Sequence, residues 1–256
     1  MKFSVLGSSS SGNSSFIEMG NKKFLIDAGF SGKKTIEKLE EINKDINDID
    51  GILVTHEHSD HIQGLGILSR KYDIPIYISE KSFNSIREKI GKVEEKNINF
   101  IENDLFFEEC KVKCFDVMHD AERCLGFSFE YNEKKLTYAS DIGYVDKVVT
   151  ENFKNSDVIV LESNYDLNML MNGPYHWNLK NRVKSKNGHL SNAEAAKLII
   201  DVASSRLQKI YLLHISNDNN KHTLAYDTVK EFLDRERINA ELEVVTEKTT
   251  LIYEVL

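Results

Sequence analysis

The chain has 256 residues, of which 41 % are hydrophobic and 29 % charged, a composition that supports a packed core and excludes a disordered tail protein. Its 33 Lys and Arg stand against 41 Asp and Glu, a net charge of −8, which excludes nonspecific coating of long nucleic acid but leaves room for a local basic groove. Cys110, Cys114 and Cys124 show no CxxC spacing and argue against a disulfide framework. No run approaches the roughly 18 apolar residues of a membrane span. The N-terminus shows no export signal, so the expectation is a cytoplasmic protein with no membrane partner.

Short β-type runs dominate the first half. Phe3–Leu6, Ser14–Glu18 and Lys23–Ile26 read as strands separated by Gly, Ser and Asn turns. Over Lys33–Ile46, the residues Ile36, Leu39, Ile42 and Ile46 recur at three- and four-residue spacing and predict a helix. Ile52–Thr55 is an unbroken run typical of a strand buried on both faces. His61–Arg70 and Glu80–Ile90 read as helices around a strand at Pro75–Ser79, followed by strands at Lys111–Met118, Leu125–Tyr131, Lys135–Ala139 and Asp157–Leu161. Asn192–Ser204 is a helix opened by a capping box of Ser191 and Glu194. Lys209–Leu213 is a strand, Ala225–Arg235 a helix and Leu242–Val255 a closing hairpin. With no repeat and no linker, residues 1–256 read as one α/β domain with helices outside sheet layers. An irregular, substrate-facing excursion at about 164–190 holds Pro174 and the sole tryptophan, Trp177.

Directly after the buried strand comes Thr55-His56-Glu57-His58-Ser59-Asp60-His61. In an extended segment residues i and i+2 point the same way, so His56 and His58 can hold one ion together. Asp60 and His61 fall where the chain turns into a helix, and aim a carboxylate and an imidazole at a second position. Crowded imidazoles repel once protonated unless a metal keeps them neutral. His119, Asp141 and His214 each follow a later strand-like run, and sites in α/β architectures gather at the carboxyl ends of strands.

This pattern resembles the metallo-β-lactamase-fold hydrolase superfamily, across essentially the whole chain. The resemblance implies a four-layer αββα sandwich with a dinuclear site on one edge, and it matches Asp27 to an early structural aspartate. It gives the first ion His56, His58, His119 and Asp141. The second takes Asp60, His61, His214 and the bridging Asp141. Two divalent ions about 3.5–4 Å apart can share a bridging hydroxide and stabilise both attacking and leaving oxygens. Imidazole and carboxylate ligands without a thiolate suit Zn²⁺, Mn²⁺ or Fe alike. His58, where diiron oxygen-reducing members carry Glu, sets that branch aside.

Three features point to phosphodiesters. The turn Gly7-Ser-Ser-Ser-Ser-Gly-Asn-Ser-Ser15 can offer backbone N–H groups as an anion nest, with Ser10, Ser11 and Asn13 as candidate phosphate contacts. It has no Gly-Lys-Ser/Thr and is no Walker A loop. Second, Gly188-His189-Leu190-Ser191-Asn192, a helix, then Tyr211-Leu-Leu-His214-Ile-Ser216 resembles the nuclease branch, which includes ribonuclease Z and the β-CASP nucleases. That resemblance makes His189 the proton-transfer group near the scissile phosphate, so Asp60 and His189 are the catalytic candidates. The excursion is too short for a β-CASP cap domain. Third, Lys180, Arg182, Lys184 and Lys186 alternate before His189; in an extended segment all four would track a phosphate backbone from one side. Tyr165, Tyr175, His176 and Trp177 can stack on bases, and Asn219 and His222 complete the candidate substrate contacts. Gly-Ser-Ser-Ser-Ser-Gly-Asn, Glu162-Ser-Asn-Tyr-Asp166, Gly173-Pro-Tyr and His214-Ile-Ser-Asn-Asp-Asn219 are similar to motifs of the bacterial YycJ/WalJ-like group. That group is exonuclease-like and tied to DNA repair or cell-wall regulation. The expectation is a dinuclear metal-dependent phosphodiesterase or exonuclease on nucleic acid, single-stranded or end-containing, with DNA favoured. The alternative is a small-molecule hydrolase of the lactonase or glyoxalase type, which the net negative charge favours.

Overall fold

The computed structural model describes residues 1–9 and 11–255. The first half contains β1 (Lys2–Ser9), β2 (Gly12–Met19), β3 (Lys22–Ile26), α1 (Gly32–Glu41), β4 (Gly51–Leu53), α2 (Ser59–Ile62), α3 (Leu65–Tyr72), β5 (Ile76–Ile78), α4 (Glu80–Ile86), β6 (Ile98–Phe100), β7 (Leu105–Phe107), β8 (Cys110–Val117) and β9 (Cys124–Tyr131). The second contains β10 (Lys134–Ala139), α5 (Lys147–Phe153), β11 (Val158–Glu162), α6 (Leu167–Asn172), α7 (Trp177–Val183), α8 (Asn192–Val202), β12 (Lys209–Leu213), α9 (His222–Arg235), β13 (Glu241–Val244) and β14 (Tyr253–Glu254). They form two seven-stranded mixed sheets, ordered β14-β1-β2-β3-β4-β5-β6 and β13-β12-β11-β10-β9-β8-β7.

Alternation along the strands explains the layering. In β11, Val158 and Val160 join Phe3, Phe127, Phe129 and Tyr211 between the sheets. Ile159 and Leu161 point the other way, toward Leu198, Ile199 and Val229 of α8 and α9. On the first sheet Leu25, Ile52 and Val54 face outward against Leu39, Leu65 and Leu68 of α1 and α3. Three apolar seams between four layers give the expected αββα sandwich. The parallel runs β3-β4 and β10-β11-β12 finish in step, so their carboxyl ends deliver Asp27, the His56–His61 segment, Asp141, Glu162 and His214 to one edge. No helix among the described residues is long and apolar enough to cross a membrane.

Several boundaries differ from expectation. The closing hairpin is not one: β13 pairs in parallel with β12, whereas β14 pairs antiparallel with β1 of the other sheet. The intervening chain crosses between sheets, held by Thr250 N–H to Val5 O and Ser8 N–H to Thr246 O. The first helix ends at Glu41, because Asn43 turns into the left-handed region at φ 56°. The expected His61–Arg70 helix splits at Gly64, where a Cβ would meet Phe30 O at 2.3 Å. The short strands β6 and β7 lack an alternation long enough to read. The capping box at Ser191 and Glu194 forms as expected.

Candidate metal centre

The motif after β4 folds as its spacing implies. His56 Nε2 and His58 Nδ1 lie 3.0 Å apart, two imidazole nitrogens converging on one point. His119, after β8, brings its ring within 5.2 Å of both, centroid to centroid. Its Nδ1–H donates to Gly188 O at 3.0 Å, which leaves Nε2 facing the cluster. Asp141 is central. Its Oδ1 lies 3.7 Å from His119 Nε2 and 3.2 Å from His214 Nδ1, and its Oδ2 lies 3.4 Å from His61 Nε2. Asp60 Oδ2 is 3.5 Å from His61 Nε2 and 3.9 Å from His214 Nε2. All seven residues expected as ligands are thus gathered, in the groups His56–His58–His119, His56–His61–Asp141 and Asp60–His61–His214, and a fourth group joins Asp141 and His214 to Glu162 and His189.

The donor set fits divalent cations. His119 Nε2 and Asp141 Oδ2 are buried with no hydrogen-bond partner, and a buried polar atom is expensive unless something meets it. Here a basic nitrogen and a carboxylate oxygen face the same space, which is the chemistry a cation satisfies. The charge pattern agrees. Burial works against the Asp141 carboxylate, yet His214, His61, His56 and His119 hold its pKa well below the usual range. Burial presses His56 well below its ordinary value. His61 goes the other way: burial opposes its charge, but Asp27 and Asp141 raise it well above normal. His214 is pushed up to about 9, with Asp141 and Glu162 outweighing burial.

Outside the ligands stand residues that fix them. Asp27 is fully buried and its Oδ2 accepts from His61 Nδ1–H at 2.7 Å and from Thr55 Oγ1 at 2.8 Å. That bond commits His61 Nε2 to the cluster, the usual way a carboxylate orients a metal-binding imidazole. Thr55 Oγ1 also meets His56 Nδ1 at 3.0 Å. Asp27, Asp141 and His214, each just beyond a strand, all have φ between 54° and 60°. Left-handed backbone is unfavourable for residues with a Cβ, and such strain collects at functional sites.

Glu162 was missed as a site residue. It is wholly buried at the end of β11. Its Oε1 accepts from His189 Nδ1 at 2.7 Å and His214 Nδ1 at 2.9 Å, and its Oε2 from the N–H groups of Ile142 and Leu190. These four donors make it a brace that holds both histidines in place. The readable signal was a carboxylate closing an apolar run. His189 sits over Asp141 with Nδ1 3.8 Å from Oδ1; burial lowers its pKa, and Glu162 more than compensates, so the net shift is upward.

The phosphate-contact expectations fare differently. Ser10 lies outside the described residues. Asn13 is 2 % exposed, and its Nδ2 donates to Asp60 Oδ2 at 3.0 Å while its Oδ1 accepts from Ser8 Oγ. Ser8 Oγ in turn accepts His214 N–H. The serine-rich turn therefore braces Asp60 and His214 from behind, and Ser11 is exposed. Lys180 does not face solvent: the segment is helix α7, not extended, and its Nζ donates to Met171 O at 2.8 Å. Lys180 and Arg182 lie on α7, while Lys184 caps it and Lys186 sits in the turn beyond, so the four do not line one side of an extended segment. Tyr165 is 4 % exposed and does not line the cleft. Arg182 and Asn219 do line the cleft, a hollow of about 340 Å³ with His58, Asp60, His189 and Tyr175. Arg182 pairs there with Asp120 at 2.8 Å. His222 opens on a separate groove with Ser9 and Lys248.

Comparison with known proteins identifies the family. The family described as beta-lactamase superfamily domain matches residues 22–215. The chain is 42 % identical to exodeoxyribonuclease YycJ of Bacillus anthracis, over 91 % of this chain and 89 % of that protein. It is 40 % identical to exodeoxyribonuclease WalJ of Streptococcus pneumoniae, over 89 % and 86 % respectively. Among solved structures, the metallo-β-lactamase fold protein YhfI of Bacillus subtilis superposes with a TM-score of 0.74 at 15 % identity, covering 99 % of each chain. The chain belongs to the beta-lactamase superfamily, and is a metal-dependent hydrolase of the metallo-β-lactamase fold.

Proposed function

We propose that the protein is a dinuclear metal-dependent phosphodiesterase that removes nucleotides from an end of DNA. The observation that carries this reading is the His189–Glu162 couple beside the ligand cluster, outside the ligand set and open to the cleft. The relatives named exodeoxyribonuclease support it, matching about nine-tenths of the chain. His56, His58, His119 and Asp141 would hold one cation, and Asp60, His61, His214 and Asp141 the other. When bound, the cations supply Lewis acidity at the phosphoryl oxygens and lower the pKa of water.

The chain's own residues do the rest. Glu162 takes the Nδ1 hydrogen of His189 and turns Nε2 to the cleft, where it protonates the leaving oxygen of the broken ester. Asp60, whose side chain is 22 % exposed, accepts a hydrogen bond from the attacking water and orients it. Arg182 and Asn219 meet the phosphates next to the reacting one. Tyr175, fixed by its hydroxyl donating to Asp218 Oδ2 at 2.9 Å, lies beside the sugar and base.

The test offers a phosphodiester chromogen, a thioester and an end-labelled single-stranded oligonucleotide to the Mn²⁺- and Zn²⁺-loaded enzyme. Progressive shortening of the oligonucleotide is expected. Thioester turnover without oligonucleotide cleavage overturns the proposal and favours a small-molecule hydrolase.

A further inference from the structure

A second groove shares Asp60, and no other residue, with the cleft. It holds about 520 Å³, and its walls include Ser11, Gln63, Ile67, Arg70 and Lys89. Its cations are not paired with carboxylates. Arg70 donates Nη1–H to Ile90 O at 2.7 Å and to Lys92 O at 3.2 Å, which pins its guanidinium against the segment after α4. Gly66 permits that approach, since a Cβ there would lie 2.0 Å from Ile90 O. Among the described residues neither Arg70 nor Lys89 forms an ion pair, and Nε and Nη2 of Arg70 have no hydrogen-bond partner. Lys230 and Arg235 on α9, by contrast, each hold a carboxylate one turn away.

The surrounding sequence has the same bias. Residues 63–92 carry Arg70, Lys71, Lys81, Arg87, Lys89 and Lys92 against three carboxylates, in a chain of net charge −8. Ile67, 46 % exposed, adds an apolar surface beside the cations. A channel that begins at a ligand of the reacting centre and continues between free cations and an apolar side chain suits a polyanion with sugars and bases attached.

We propose that this groove carries the backbone of the strand being cleaved, binding the nucleotides beyond the scissile bond on the Asp60 side. The proposal rests on the nuclease reading and adds the path of the strand. Phosphates would meet Arg70 and Lys89, with Gln63 and Ser11 as neutral hydrogen-bonding partners.

The test measures anisotropy of a fluorescent single strand of about 20 nucleotides, long enough for both hollows, with phosphorothioate linkages to slow cleavage. It uses the full Mn²⁺-loaded chain. Gln63→Glu combined with Lys89→Glu is compared with Lys197→Glu on the exposed face of α8, and circular dichroism checks each fold. The double variant should bind about tenfold more weakly, and its log–log salt slope should fall by about 1, from the loss of one or two phosphate contacts. Lys197→Glu should match the parent protein. A double variant with unaltered affinity and slope overturns the groove, whether or not the enzyme cleaves. Groove-dependent binding without cleavage of a natural oligonucleotide overturns the nuclease reading and leaves the groove standing. A parent protein that binds no strand overturns both.

Discussion

Glu162 Oε1 accepts the Nδ1 hydrogen of His189 at 2.7 Å, from a side chain with no exposure to solvent. The same oxygen meets His214 Nδ1 at 2.9 Å. One buried carboxylate therefore braces a ligand of the cluster and the group proposed to deliver a proton. In the proposed function, this carboxylate links the geometry of the cluster to proton transfer.

Replacing Glu162 separates these roles. Glu162→Gln retains an oxygen for backbone donors but removes the charge that raises the pKa of His189. The basic limb of the rate profile should move to lower pH, because His189 then loses its proton sooner. The rate at the optimum should fall about 10–100-fold, as for other partners of metal-binding histidines. A pH–rate profile of kcat checks both, and an unmoved basic limb removes His189 from that step.

Asp27 tests orientation alone. Asp27→Asn keeps the shape but weakens acceptance from His61 Nδ1–H and Thr55 Oγ1–H. Metal affinity should drop about 10–100-fold, measured by competition against a chromogenic chelator. The helix content of the variant should match the parent protein.

The layers and most of the ligand cluster were legible in the sequence because their signals are local. Unbroken apolar runs such as Ile52–Val54 mark buried strands, and the His56–His61 spacing carries its own geometry. Glu162 was not legible as a brace, since its partners His189 and His214 lie 27 and 52 residues away. Lys180 was misplaced for a related reason. Alternating cations suit an extended segment, but the chain there forms α7 and buries that side chain against Met171 O. The serine-rich turn likewise looked like an anion nest from composition. Only tertiary contact reveals Ser8 under His214 and Asn13 under Asp60. No sequence rule foretold the left-handed backbone at Asp141 and His214.

Metal and protons should compete. His61 is raised well above its usual pKa and His214 to about 9, so His214 carries its proton at neutral pH in the metal-free protein. Ligation requires the neutral imidazole, so binding expels protons and apparent affinity rises with pH. The sign for stability is opposite. A raised folded pKa stabilises fully below the unfolded value and is lost as pH rises through the folded one. The His214 contribution in the metal-free protein should therefore fade between roughly 6.5 and about 9. Calorimetric metal titrations in buffers of different ionisation enthalpy should detect the released protons, and metal-free melting curves the loss.

His189→Ala should keep its metal while slowing oligonucleotide cleavage by about 10²–10⁴-fold. A nitrophenyl phosphodiester has a leaving group that needs little acid help, so it should lose far less. Equal losses on the two substrates would remove the acid role, and loss of metal would make His189 a ligand.

Lys180 and Arg182 lie two residues apart on α7 and should behave in opposite ways. The Lys180 ammonium is buried and donates to Met171 O, so it ties α7 back to α6. Lys180→Ala removes that donor and leaves a carbonyl unmet, a cost of about 1–3 kcal/mol. The excursion should open to proteolysis and all substrates should suffer alike. The Arg182 side chain is 63 % exposed, and its bond to Asp120 is a surface pair worth at most about 1 kcal/mol. It can be surrendered to a phosphate at little cost. Arg182→Ala should leave the fold intact, weaken oligonucleotide binding, and reduce the salt slope by about 0.7 for one lost contact on a single strand. Limited proteolysis beside salt-dependent anisotropy distinguishes them. Proteolytic sensitivity in Arg182→Ala, or an unaltered salt slope, would mean that Arg182 serves Asp120 and contacts no strand.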